Sequence, residues 1–164
     1  MVSRRSRVLV GLFVLSDALL GMAAFLLAYL ARFHSGLIPI TKGVPPLAQY
    51  LVVMPFLGAL VVLAYQIQGL YRVRRSRSRV DDFFAVLVGT ILAVFFGIVG
   101  TLYLQAYYVP DELKDRGAFE ISQVVWALFL ALNVALTYAT REFVRETMER
   151  RWRAGIGLKR VLIA

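Results

Sequence analysis

The chain has 164 residues, 60% of them hydrophobic, with no cysteine and a formal net charge of +9. Water-soluble domains average about 45–50% apolar, so the composition points to a polytopic membrane protein, and without cysteine there is no disulfide and no thiolate-ligated metal. The basic excess does not mark a nucleic-acid binder, because most of it sits at the ends of apolar blocks, where membrane topology requires it.

Residues 1–7 carry Arg4, Arg5 and Arg7, a cytoplasmic start. The first predicted span covers 8–33. It is too long for a signal-peptide core and has no clear cleavage site, so it is expected to be retained. Asp17 is the acidic residue well inside it. Insertion scales put a carboxylate at a helix centre at about 2.5–3.5 kcal/mol, so Asp17 should face protein or water and have a partner. The expected partner is an arginine of the 72–79 loop or a tyrosine hydroxyl; an ion-coupling role is the sharper alternative. His34, beside the end of this span, reads as interfacial. Residues 34–46, with Gly36, Pro39, Gly43, Pro45 and Pro46, form an outer loop.

The second predicted span covers 47–70, and the stretch after it fixes the orientation. Arg72, Arg74, Arg75, Arg77 and Arg79 place five arginines in eight residues. A short arginine-rich loop stays on the cytoplasmic side. The same loop would meet the anionic inner leaflet, where each basic residue contributes about 1 kcal/mol. These five arginines are the candidate lipid-phosphate contacts.

The third predicted span, 81–108, opens on Asp81 and Asp82, which suit a helix N-terminus. Ala85, Gly89, Ala93, Gly97 and Thr101 recur every four residues. Small residues at this spacing let membrane helices approach closely, so Gly89, Ala93 and Gly97 are the expected packing seam. Tyr103, Tyr107 and Tyr108 close the span as an interfacial cluster, and Pro110 stops it. Residues 111–120 hold four acidic and two basic residues and read as a solvated outer loop. The Asp111-Glu112 pair belongs to that loop and is not a catalytic pair.

The fourth predicted span, 121–144, contains Asn133, a mid-span hydrogen-bonding group for a neighbouring helix. Residues 145–158 alternate arginines with apolar residues and read as a basic cytoplasmic helix and linker. Residues 159–164 (KRVLIA) have the pattern of a short buried strand. A lone strand has no sheet to join, so it is expected to open a second, soluble domain. The expected architecture is therefore an all-α four-helix membrane domain over 1–144, both termini cytoplasmic, followed by the start of another domain. The chain contains no P-loop, no GxGxxG and no metal-ligand spacing.

An Asp near the start of the first span and Leu-Ala-Tyr-Leu-Ala-Arg-Phe at 27–33 resemble the opening of bacterial polyprenyl-phosphate glycosylphosphotransferases. Gly69-Leu70-Tyr71-Arg72, the basic loop and Asp81-Asp82 are similar to their inner-loop segment. Arg141, the basic helix after it and residues 159–163 resemble their passage into a Rossmann-like domain. The resemblance implies a membrane-anchoring and assembly domain in the bacterial cytoplasmic membrane, surrounded by membrane lipids and a candidate for homodimer formation. The parent enzyme would transfer a sugar phosphate from a nucleotide sugar to polyprenyl phosphate with a divalent metal, Mg2+, in a catalytic domain outside this chain. No catalytic, cofactor-binding or metal-binding residue is carried over. Membrane-bound nucleotide-sugar dehydratases and epimerases share the four-span plan, but their inner loop has aromatics among the arginines, which 72–79 lacks. A stand-alone transporter-like protein using Asp17 is the third reading.

Overall fold

The computed structural model describes residues 4–36, 44–71, 78–114 and 120–153. All regular structure among them is helical: α1 (Arg4–Phe33), α2 (Leu47–Ile67), α3 (Arg79–Tyr108), a single-turn α4 (Asp111–Lys114) and α5 (Gln123–Arg153). Four helices contain stretches long and apolar enough to cross a membrane: Val10–Phe33, Leu47–Ile67, Arg79–Tyr108 and Gln123–Thr147. The bundle is that of a multi-pass membrane protein. Its outward face agrees, since Leu15, Val52, Leu63, Phe84, Phe95 and Leu102 are all exposed. A water-soluble bundle would not turn so many large apolar side chains outward.

Each long helix packs on two neighbours, α1 and α3 each lying against both α2 and α5. The third-span seam faces inward. Ala85, Gly89, Ala93, Gly97 and Thr101 are all buried. A Cβ on Gly89 would lie 2.5 Å from Cδ1 of Tyr65, and one on Gly97 would lie 2.8 Å from Leu57 and 2.9 Å from Trp126. Both glycines let large rings of α2 and α5 rest directly on the α3 backbone. Lipid tails are as apolar as Leu, so this close packing, and not water exclusion, holds such helices together.

The far end of the bundle is aromatic. Phe25 lies 5.6–5.7 Å from the rings of Tyr50, Trp126 and Phe129. Tyr29 donates to the Pro45 carbonyl at 3.0 Å, and Tyr50 accepts from the Ser122 amide at 3.4 Å. Rings on three helices and backbone from both connections are thereby tied together.

Boundaries differ from the sequence reading at several helix ends. The second helix ends at Ile67 rather than at 70, because Gly69 adopts φ 69° and turns the chain. The residues at 111–114 form a helical turn inside the expected loop. The last helix runs as one element from Gln123 to Arg153. The strand expected at 159–164 lies outside the described residues, as do residues 154–158.

Replacing Gly89 by Ala should cost about 1–3 kcal/mol, the usual range for overpacking. Gly11→Ala, where an added Cβ meets nothing within 4 Å, should be neutral. Unfolding midpoints of the two variants in detergent check the contrast; equal midpoints would remove Gly89 from the seam.

Candidate functional site

The polar interior is concentrated towards the end where α1 and α3 begin and α2 and α5 finish. Asp17 on α1 is buried. Its Oδ2 accepts from Arg141 Nη2 on α5 at 2.6 Å and from the Tyr71 hydroxyl at 2.9 Å. The side chains of Asp17 and Arg141 are 3% and 15% exposed. The Arg141 guanidinium also lies 5.7 Å from the Phe13 ring centroid and 5.9 Å from that of Tyr65, within cation–π range. Burial, followed by the Asp17 charge, pushes the Tyr71 phenol well above its usual pKa. Tyr71 therefore remains a proton donor to the carboxylate throughout the physiological range.

Local sequence explains how Tyr71 reaches Asp17. Gly69 N–H donates to the Gln66 carbonyl and Leu70 N–H to the Tyr65 carbonyl, both at 3.0 Å. With Gly69 at positive φ, this is the paired 5→2 and 6→1 closure of a Schellman motif. Leu70 is buried after it. The chain is turned back under the bundle, and the next residue, Tyr71, bonds to Asp17. A residue with a Cβ at 69 would be strained in this conformation.

A second polar cluster lies on the α2, α3 and α5 faces. Asn133 Nδ2 donates to Tyr65 Oη and to Thr90 Oγ1, both at 3.0 Å. Thr90 gives its own proton to the Val86 carbonyl at 2.8 Å. Tyr65 Oη, 3.0 Å from Thr90 Oγ1, must then supply the proton of that contact. Thr137 Oγ1, at 3.5 Å, is a longer, alternative acceptor for the same single proton. One amide and one phenol thus pin three helices. Among the described residues the Asn133 side-chain oxygen has no hydrogen-bond partner.

Charges continue outward between α3 and α5. Ser78 and Asp81 form a reciprocal capping box at the start of α3. Asp82 instead pairs with Arg145 at 2.6 Å, and Arg145 also contacts Glu142 at 3.3 Å. Arg79 lies 3.6 Å from Glu142 and 4.0 Å from Glu149. Of the five loop arginines, Arg79 is thus an α3 residue facing α5, while Arg72, Arg74, Arg75 and Arg77 lie outside the described residues. Asp17 and Asn133, both expected to need partners, occupy separate clusters. The cation on Asp17 among the described residues is Arg141. Among the described residues no three His, Asp or Glu gather as metal ligands.

No family model, curated protein or solved structure matches the chain. Among the described residues the chemistry of the arrangement is helix-to-helix contact. Sequence reasoning did not single out Arg141, Tyr65, Thr90 or Thr137 as partners. For Arg141 the signal was present, because it is a cation inside an apolar segment, and such a charge requires a counter-ion.

Arg141→Met should destabilise the bundle by about 3–5 kcal/mol by leaving Asp17 uncompensated, whereas Asp17→Leu/Arg141→Met should recover most of that loss. A double-mutant cycle on unfolding in detergent measures it; strictly additive losses would show that the two side chains do not depend on each other.

Proposed function

We propose that this chain is the membrane-anchoring and assembly domain of an enzyme that transfers a sugar phosphate from a nucleotide sugar to polyprenyl phosphate in glycan or exopolysaccharide synthesis. The observation that carries the reading is the meeting of Asp17, Tyr71 and Arg141. They come from the three segments on which the resemblance rests: the first span, the Gly-Leu-Tyr-Arg segment and the passage out of the fourth span. Their convergence on one carboxylate oxygen gives those segments a common physical purpose, which is to lock the bundle. Asp82 of the acidic pair bonds to Arg145 in the same way.

In this reading the bundle lies in the bacterial cytoplasmic membrane with both termini cytoplasmic. The helix formed by the end of α5 leads into a Rossmann-like domain that begins with the strand at 159–164. Polyprenyl phosphate, nucleotide sugar and Mg2+ are bound by the following domains, and the apolar outer surface of the bundle meets lipid and a second copy. The loop arginines, above all Arg72, Arg74, Arg75 and Arg77, face the inner leaflet.

Two experiments test this. The chain contains no cysteine, so Ser35→Cys and Ser76→Cys each introduce a single thiol for an impermeant maleimide. Ser35→Cys should label from outside intact cells and Ser76→Cys only after lysis; outside labelling of both would overturn the orientation. The full gene product, supplied with undecaprenyl phosphate, Mg2+ and nucleotide sugars, should release nucleoside monophosphate and form a lipid diphosphate sugar. Conversion of the nucleotide sugar itself, by dehydration or epimerisation, would reject the transferase.

A further inference from the structure

Two tiers of ion pairs fasten α5 to the rest of the bundle, and they differ in strength. The inner tier, Asp17–Arg141 and Asp82–Arg145, is close-contact at 2.6 Å and largely buried. The outer tier depends on Arg79. Its side chain is 62% exposed and sits 3.6 Å from Glu142 and 4.0 Å from Glu149. Glu142 has Arg145 as a second partner. Glu149, 39% exposed, has Arg79 as a partner at the outer limit of an ion pair. Pairs this open contribute little individually and exchange readily.

Arg79 also sits where a competitor is abundant. α3 is about 45 Å long against a hydrocarbon core of about 30 Å, so its ends reach the headgroup layers. The candidate span of α5 ends at Thr147, which places Glu149 at the same level. Headgroup phosphate binds a guanidinium with the bidentate geometry that a carboxylate offers.

We propose that Arg79 is a latch: it holds the last turns of α5 through Glu142 and Glu149, and phosphates of anionic lipids draw it away. Once Arg79 is on phosphate, Glu149 faces an anionic surface without its cation and is repelled. The end of α5 beyond Arg145 then moves off the start of α3, while the inner tier keeps the bundle intact. The latch requires only that this end of the bundle lie in a headgroup layer. It does not depend on the transferase reading, because it concerns the lipid and not the reaction.

Spin-label distances read the latch directly. One pair of cysteines, at Phe84 and Arg150, spans it; a reference pair at Phe84 and Phe143 lies before it. All three positions are exposed. The protein is placed in nanodiscs of phosphatidylcholine alone or mixed equally with phosphatidylglycerol. The 84–150 distribution should lengthen and broaden in the anionic discs, and the 84–143 distribution should not change. Arg79→Gln should give the long distribution in both lipids, and Glu149→Gln should remove the difference between lipids. Identical 84–150 distances in the two lipids, or a full lipid response in Arg79→Gln, would overturn the proposal. A shift of both pairs together would overturn it as well, because the whole bundle would then be moving.

Discussion

The bundle depends on the charge pair between Asp17 and Arg141. Either group alone would be a liability in a membrane-spanning segment, since an unpaired charge there is costly. Together, with the Tyr71 hydroxyl on the same oxygen, they compensate one another only when α1, α5 and the turn after α2 are assembled in this arrangement. Apolar packing in lipid discriminates weakly between rotations of a helix about its axis. A single buried counter-ion pair discriminates strongly, because every wrong rotation separates the charges.

The second cluster applies the same logic with neutral groups. Asn133 and Tyr65 can satisfy their donors only if α2, α3 and α5 meet at one depth. Gly89 makes that meeting possible, since the Tyr65 ring lies against its bare backbone. The small-residue seam and the polar cluster are therefore one device: the glycine admits the ring, and the ring carries the hydroxyl. α1 is absent from this cluster and is fixed instead by Asp17 and by its aromatic end at Phe25 and Tyr29.

Much of this architecture was legible in the sequence. Four apolar blocks, the Ala85–Thr101 repeat and the need of Asp17 and Asn133 for partners follow from hydropathy, spacing and the cost of burying polarity. The tyrosine half of Asp17's environment was among the expectations. Arg141, the cation on Asp17 among the described residues, was not among the expected partners, because it is 124 positions away in the sequence. Spacing along one helix cannot reveal which other helix lies beside it. The end of α2 at Ile67 was missed for a different reason: hydropathy is blind to a glycine at positive φ. Gly followed by an apolar residue is nevertheless a Schellman signature, and reading it would have turned Tyr71 towards the bundle.

The geometry also weighs against Asp17 as a coupling carboxylate. A transported proton or cation must be able to replace the partners of such a group and leave again. Here Oδ2 is held simultaneously by a guanidinium at 2.6 Å and a phenol at 2.9 Å. The guanidinium is confined between the Phe13 and Tyr65 rings. Displacing it would leave a second buried charge uncompensated. A carboxylate so held is suited to fixing helices, which is the role the proposed anchoring function asks of it.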